Sequence, residues 1–318
     1  MEVATEHISQ HYPVRQVLSY CGLSASSYYY KPTGNRQGRK PYAKMYDCNR
    51  LEVDDTFILE AILKLFENPF VDYGCYKTYI YLTDNKKYII SKHKVYEIMK
   101  NNNILRQKGA QSSKRNKVNR VVDLIPNTKG PFSYFEIDIK FMYVYGQRRN
   151  AQMLTIIDIE TRIVLGQYID YQIGKRKVID LFDKIFEKYD LPKNFILRSD
   201  NGSQFIANMI QNYLKKKEVI QEFIKPATPQ QDAHIESFHS IIERAICQRF
   251  EFENIKILVE TMKKFMDFYN FERIHSGTNF KSPYVNFLQK EEAKKAPSLV
   301  KPIIVVLKQM YKKYMENI

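Results

Sequence analysis

The feature that most constrains this fold is an alternating run that begins at Phe135. From Phe135 to Met142 an apolar side chain takes every second position, and Glu136, Asp138 and Lys140 lie between them. A period of two predicts a β-strand. Further elements are predicted downstream: strands over 153–159 and 163–169, a helix over 177–189, a strand over 195–197, a helix over 203–216, a strand over 219–224 and helices from 232. This order predicts an α/β domain with a mixed five-stranded sheet and flanking helices.

Length and charge set the broad class of the protein. The 318 residues correspond to about two domains. Lys and Arg total 50 against 35 Asp and Glu, and the net charge of +15 points to a polyanionic partner, most commonly nucleic acid. No run approaches the ~18 apolar residues of a membrane span, and the start of the chain lacks the pattern of a secretory signal. We therefore expect a cytoplasmic protein with no membrane partner and with its four cysteines reduced.

Composition divides the chain into five segments. Gly22 suits a helix end, and Ser24 and Ser91 suit helix starts. These signals predict two small all-α modules of the helix-turn-helix kind, and helical packing without DNA contact fits the same spacing. The segments are a helix-turn-helix-like module with a basic linker (1–45), a helical DNA-binding module (46–104), a basic linker (105–130), the α/β domain (131–290) and a basic tail (291–318). Within the tail, residues 299–307 fit either a strand or a partner-binding segment.

The second basic linker is a candidate DNA contact. Between residues 106 and 120 it contains no acid, and its cations are Arg106, Lys108, Lys114, Arg115, Lys117 and Arg120. A run of this kind is usually a solvated tether, but its place between two candidate DNA-facing domains favours phosphate contact. Farther along, Arg273 and His275 could either hold phosphate or buttress the helix before them.

Three carboxylates could meet in the α/β domain. Asp138 lies within a strand, Asp200 follows the strand at 195–197, and Glu236 lies early on a helix. Taken singly, each of these acids could also have a structural role, because Asp-Asn-Gly is a common turn and acids on helices are usually solvated. Together they offer three hard oxygen donors, which suit Mg²⁺ or Mn²⁺. Glu136 and Asp158 are not assigned to the site, and Asp158 is interpreted as a structural acid at a strand end.

These acids lie in three motifs: Phe135-Glu136-Ile137-Asp138, Ser199-Asp200-Asn201-Gly202-Ser203-Gln204-Phe205 and His234-Ile235-Glu236-Ser237-Phe238-His239. The motifs, with 35 residues between Asp200 and Glu236, resemble the signature of DDE transposases and integrases of the retroviral-integrase type, whose core is ribonuclease H-like. Tyr269-Asn270-Phe271-Glu272-Arg273-Ile274-His275, followed by Ser282-Pro283, is similar to the end of the catalytic domain in second-reading-frame transposases of bacterial insertion sequences. Two positions depart from that pattern: Arg198 stands where close relatives often have histidine, and Asp232 where many have asparagine.

The resemblance implies a transposase that binds insertion-sequence ends and carries out metal-dependent DNA cleavage and strand transfer. Asp138, Asp200 and Glu236 would be its catalytic residues and the ligands of two Mg²⁺ or Mn²⁺ ions, with Asp138 bridging both. The implied partners are double-stranded DNA of the terminal repeats and the target, further copies of the chain in at least a dimer, and an upstream-frame helical protein, all at the nucleoid of a bacterium. Two alternatives stay open: a catalytically silent DNA-binding regulator of transposition, and a nucleic-acid hydrolase without joining activity.

Overall fold

The computed structural model describes residues 1–30, 44–106, 128–224, 233–293 and 301–316. The chain divides into two compact units, Met1–Lys44 and Met45–Ile318. Within the described residues, no helix is both long enough and apolar enough to cross a lipid bilayer.

The first unit contains three short helices: α1 (Glu2–Ser9), α2 (Val14–Tyr20) and α3 (Ala25–Tyr28). Gly22 follows α2 with a φ of +63°, a left-handed conformation that glycine adopts without steric cost. Ser24 caps α3, because its hydroxyl accepts a hydrogen bond from the backbone N–H of Ser27 at 3.1 Å. The helix end at Gly22 and the cap at Ser24, both predicted from the sequence, are confirmed.

The second unit begins with a small region built around three helices. Its elements are β1 (Met45–Tyr46), β2 (Glu52–Val53), α4 (Asp55–Phe66), α5 (Cys75–Ile80), a π-helical turn (Tyr81–Asn85) and α6 (Lys92–Asn101). The predicted cap at Ser91 is confirmed, since its hydroxyl accepts from the N–H of Lys94 at 3.2 Å. The short antiparallel β1–β2 ladder was not predicted. It forms because Asp47 Oδ1 accepts from the N–H groups of Asn49 and Leu51, both at 2.8 Å, and so closes a tight turn.

A mixed five-stranded sheet forms the centre of the second unit. Its strands are β3 (Tyr134–Val144), β4 (Arg149–Asp158), β5 (Val164–Asp170), β6 (Ile196–Ser199) and β7 (Ile220–Phe223). They lie in the order β5-β4-β3-β6-β7. The β3–β4 and β4–β5 pairs are antiparallel, whereas β6 is parallel to both β3 and β7. The predicted α/β class with a mixed five-stranded sheet is therefore confirmed.

Helices cover both faces of this sheet. They are α7 (Lys175–Lys188), α8 (Ser203–Ile206), α9 (Asn208–Lys216), α10 (Ala233–Ile242), which continues as a π-helical turn (Glu243–Cys247), α11 (Ile255–Phe271), α12 (Pro283–Ala293) and α13 (Lys301–Met315). Ile137 of β3 lies in a buried cluster with residues of α7, α9, α12 and α13, whereas Met142 lies in a second cluster with residues of α10 and α11. Because side chains alternate along a strand, Asp138 belongs to the face that α10 covers.

The C-terminal segment is a helix that packs on the domain core. Leu307 of α13 is 1% exposed, and the ring of Tyr311 stacks on Tyr284 with centroids 4.8 Å apart. The strand alternative for residues 299–307 is therefore wrong for its described part, which is helical, and the partner-binding alternative stays a prediction. The β-branched run there favours a strand locally, but burial of one helical face against α12 outweighs this weak preference.

Candidate active site

Asp138 and Asp200 are neighbours at the centre of the sheet. The last parallel pair between β3 and β6 is Ile137 with Ser199. Asp138 is the residue after Ile137 in β3, and Asp200 is the residue directly after Ser199, where β6 ends. The parallel register therefore brings Asp138 and Asp200 to the same level of the sheet. They lie where β6 ends, and open α/β sheets commonly form sites beyond the carboxyl ends of their strands.

A tight turn fixes the direction of Asp200. Its Oδ1 accepts a hydrogen bond from the N–H of Gly202 at 2.9 Å, and the side-chain amide of Asn201 donates to the carbonyl of Ile224 at 2.9 Å. A Cβ atom at position 202 would lie 2.9 Å from that same Oδ1. A larger residue at position 202 would therefore displace the Asp200 carboxylate, which the Asn-Gly turn holds at the end of β6.

Three residues on one face of β3 contact successive turns of α10 and the π-helical turn after it. These contacts join Glu136 Oε2 to the N–H of Ile235 at 2.7 Å, Asp138 Oδ2 to His239 Nδ1 at 3.5 Å, and Lys140 Nζ to Glu243 Oε2 at 2.8 Å. Two residues of a strand and four residues of a helix each advance about 6–7 Å. The strand and the helix therefore run side by side in register, which brings the start of α10, and with it Glu236, close to Asp138.

Glu136 anchors the first turn of α10. Its side chain is fully buried, and besides the bond to Ile235 its Oε1 lies 2.9 Å from Nδ1 of His234. The first N–H groups of a helix have no partner within the helix, so an acceptor from outside stabilises them. Burial raises the pKa of Glu136 to about 7. Sequence alone does not assign Glu136 to the site. Its one signal is its position two residues before Asp138, which places both side chains on the same face of β3.

Asp138, Asp200 and Glu236, here called the acidic face, interact electrostatically. Burial, together with the negative charges of Asp200 and Glu236, raises the pKa of Asp138 to about 6. Glu236 is exposed and makes no hydrogen bond or ion pair with any described residue. His239 does not compensate these charges. Burial and the charge of Lys140 lower its pKa to about 4, so the ring is neutral at pH 7.

The donor set of the acidic face fits a hard divalent cation. All three groups are carboxylates, the ligands that Mg²⁺ and Mn²⁺ prefer, and nearby Lys140 is already paired with Glu243. Within the part of the chain that the structure describes, no three His, Cys, Asp or Glu side chains are close enough to hold one ion. Glu236 is the exposed member of the set, whereas Asp138 and Asp200 are half-buried.

The predicted DNA contacts have different surroundings. Arg106 is exposed. Lys108, Lys114, Arg115, Lys117 and Arg120 lie outside the described residues, as does Asp232. Arg273 and His275 are instead 1% and 7% exposed. The Arg273 guanidinium pairs with Asp72 and donates to the carbonyl of Ile274 at 3.1 Å, so it joins the α4–α5 connection to the chain after α11. This geometry supports the buttressing alternative for Arg273.

Asp158 and Arg198 both have structural contacts. Asp158 is fully buried and accepts hydrogen bonds from Thr161 N at 2.7 Å, Thr161 Oγ1 at 2.6 Å and Phe132 N at 3.0 Å. Arg198 pairs with Glu222 at 3.0 Å and lies over the ring of Tyr134. Asp158 therefore closes the turn after β4, and Arg198 connects three neighbouring strands.

Two family models match the region just described. One, the integrase core domain, matches residues 128–229, and a second model of the same description matches residues 217–283. Between them they cover the five strands, the acidic face and α10. Residues 128–283 of this chain are therefore similar to integrase core domains, as the motifs indicate.

Individual proteins are similar to parts of this chain. The ORF3 protein of Spiroplasma virus SpV1-C74 is 29% identical over 171 residues, which cover 49% of this chain and 44% of that protein. The transposase for insertion sequence element IS904 of Lactococcus lactis subsp. lactis is 24% identical over 181 residues, or 56% of this chain and 68% of that protein. Among solved structures, the HTLV-2 integrase catalytic core domain in complex with magnesium has 13% identity and a TM-score of 0.39, covering 50% of this chain and 99% of that chain.

The extent of these matches differs between the relatives. The chain spans less than half the length of the Spiroplasma virus protein and about two thirds of the Lactococcus protein. The resemblance to insertion-sequence transposases that the motifs indicate is confirmed.

Proposed function

We propose that this protein is a DDE transposase that cuts the ends of an insertion sequence and joins them to target DNA. The observation that carries the proposal is the placement of Asp138 and Asp200 at one level of the sheet, with Glu236 on the helix that β3 holds beside them. The similarity to integrase core domains and to an insertion-sequence transposase supports the same activity. The net charge of +15 suits a DNA substrate.

Asp138, Asp200 and Glu236 would hold two divalent cations, Mg²⁺ or Mn²⁺, with Asp138 shared between them. When bound, such a pair of ions activates the attacking oxygen and stabilises the leaving oxygen of an in-line phosphoryl transfer. The raised pKa of Asp138 is consistent with this role, because the negative charges of Asp200 and Glu236 act on this carboxyl group and a bound cation would compensate them.

The rest of the site positions the reacting strands. Water would first break the phosphodiester at the end of the element, which leaves a 3′-hydroxyl on the element and a 5′-phosphate on the flanking strand. That 3′-hydroxyl would then attack a phosphodiester of the target, form the new phosphodiester bond and release a 3′-hydroxyl of the target strand. The turn at Gly202 fixes Asp200, and the bonds from Glu136 fix the start of α10. This arrangement keeps the carboxylates oriented between the two steps, so that one site serves both.

The proposed partners follow from this reaction. They are double-stranded DNA of the terminal repeats and of the target, and at least one further copy of the chain, because two element ends must be joined together. An upstream-frame helical protein is a further proposed partner, and the proposed location is the bacterial nucleoid.

The test compares Asp200→Asn with Asp190→Asn, an exposed carboxylate ahead of β6. With a duplex that carries the terminal repeat and with Mg²⁺, we expect Asp200→Asn to lose joining by about 10³-fold and to keep DNA binding. Asp190→Asn should match the wild type in both assays. Binding without cleavage in the wild type would establish the silent regulator instead, and cleavage without joining would establish the hydrolase.

A further inference from the structure

A cavity of about 410 Å³ borders α10 on a different face from Glu236. Ala233, Ser237 and Ile241 of α10 line it, and Arg244 follows on the π-helical turn. Residues three and four apart share one face of a helix, and Glu236 is not among the lining residues. The volume lies within the range of about 300–1,000 Å³ that is usual for ligand pockets.

The charged lining of this cavity is entirely cationic. Lys77 of α5, Arg162 of the turn between β4 and β5, and Arg244 line it, and no Asp or Glu side chain does. We call this feature, defined by Lys77, Arg162 and Arg244, the basic cavity. Three cations brought together from distant parts of the chain repel one another, so their convergence favours an anion.

Internal pairing compensates little of this charge. Among the described residues, Asp72 is the one acid in direct contact with these cations, 3.5 Å from Arg244, and it is also paired with Arg273. Lys77 donates to the carbonyl of Ile274 at 2.9 Å, a contact that brings no negative charge. Within the described residues neither Lys77 nor Arg162 forms an ion pair, although Glu136, Asp158 and Glu160 act on Arg162 electrostatically.

Two further observations point to an anion. Burial, together with the charge of Arg273, lowers the pKa of Lys77 to about 7, and an anion bound beside this amine would favour its charged form. His275 also lines the cavity, and although it is 7% exposed its Nε2 has no hydrogen-bond partner in the described structure. An anion beside this ring would favour its protonated form, in which both ring nitrogens donate.

We propose that the basic cavity binds a phosphate of the DNA backbone on the strand that extends past the acidic face. The inference rests on the proposed function and adds a substrate contact to it. Lys77 and Arg162 supply the charge, and the hydroxyls of Ser237 and Ser276 are within the same lining. Because α10 carries Glu236 on one face and the cavity on another, a strand held in the cavity is also held in register with the catalytic carboxylates.

The experiment measures DNA affinity without divalent metal, by fluorescence anisotropy on a duplex from the element end over a series of salt concentrations. The test variant is Lys77→Gln with Arg162→Gln. A charge-matched control neutralises Lys175 and Arg176, two exposed cations at the start of α7. We expect the test variant to bind about tenfold more weakly and to reduce the slope of log K against log salt by about one. The control should change affinity less than twofold.

A second arm locates the phosphate. In a scan of single methylphosphonate linkages, each of which removes one phosphate charge, one linkage should weaken binding of the wild type but not of the test variant. A Lys77→Arg, Arg162→Lys variant, which keeps both charges, should restore the wild-type profile and so shows that the loss does not come from misfolding.

The outcomes separate this inference from the proposed function. Equal affinity and slope in the test variant and the α7 control, or identical methylphosphonate profiles in the test variant and the wild type, would overturn the inference even if the wild type joins DNA. If the expected binding pattern appears but the wild type joins no strands, the cavity assignment stands and the proposed activity fails.

Discussion

Helix α10 borders two regions of opposite charge that are built in different ways. The acidic face is assembled by main-chain register, since β3 and β6 bring two of its members to the same level and the contacts of β3 with α10 bring the third. The basic cavity is assembled by packing of the α5 region against the turn after β4 and the chain after α11. Each region holds charge that the protein itself does not compensate. We therefore expect the acidic face to bind cations and the basic cavity to bind a DNA phosphate.

The largest expected difference between the two regions is in catalysis. Glu236→Gln removes one negative charge and keeps the shape of the side chain, so joining should fall by about 10³-fold while DNA affinity stays within twofold. Strand-transfer and anisotropy assays measure the two effects. Glu260→Gln, at an exposed position on α11, is the matched control. If the variant with Lys77→Gln and Arg162→Gln loses joining as strongly as Glu236→Gln at saturating DNA, the two regions do not have separate roles.

The anchoring of α10 by Glu136 should show a smaller effect, in both stability and activity. Glu136→Ala leaves the N–H of Ile235 without its acceptor and should lower the free energy of unfolding by about 2–3 kcal/mol. Joining should fall roughly 10–100-fold because Glu236 is then less well placed. Glu136→Gln keeps an acceptor and should lose less of both. Urea denaturation and single-turnover joining test this, and equal losses in the two variants would show that Glu136 does not act through that hydrogen bond.

The contrast also explains what the sequence could predict. The order of strands and helices along the chain was predictable from local periodicity, and the turn after Asp200 from its Asn-Gly sequence. The joint site of Asp138, Asp200 and Glu236, which rests on motif spacing, stays a prediction. The role of Glu136 was not predictable, because it depends on which helix lies over β3, and no local pattern encodes that. Arg273 was ambiguous for the same reason: its partner Asp72 is 201 residues away in the chain.

The basic cavity is not visible in the sequence, because a run of consecutive cations is the only sequence pattern that indicates a basic site. The predicted contacts were placed mainly in the linker around residues 106–120, where cations are consecutive. Lys77, Arg162 and Arg244 stand singly, and only tertiary packing brings them together. The C-terminal helix α13 shows a related limit, since its β-branched residues favour a strand locally and packing decides otherwise.

The smallest expected effect is on pH dependence, and it comes from the basic cavity. The pKa of Lys77 is about 7 in the folded chain and 10.5 ordinarily. Between these values the unfolded chain holds the additional proton, so the free energy of unfolding contributed by this group rises with pH. Between pH 6 and pH 9 the wild type should gain roughly 1–2 kcal/mol relative to Lys77→Gln.

Urea denaturation at constant ionic strength measures this gain. Lys64→Gln, at an exposed position on α4, is the control and should follow the wild type at every pH. If Lys77→Gln also follows the wild type, the ammonium group of Lys77 is not buried among other cations. The basic cavity would then not differ from the acidic face in the way that we propose.

Metal binding tests the acidic face most directly. Free Mn²⁺ can be counted by electron paramagnetic resonance while the full chain is titrated with the ion, alongside a variant that carries Asp138→Asn, Asp200→Asn and Glu236→Gln together. We predict that the wild type takes up two ions per chain in the presence of end DNA and that the triple variant, which still binds the DNA, takes up neither. Equal uptake by the two proteins would show that the three carboxylates hold no metal, and the proposed chemistry would have to be abandoned.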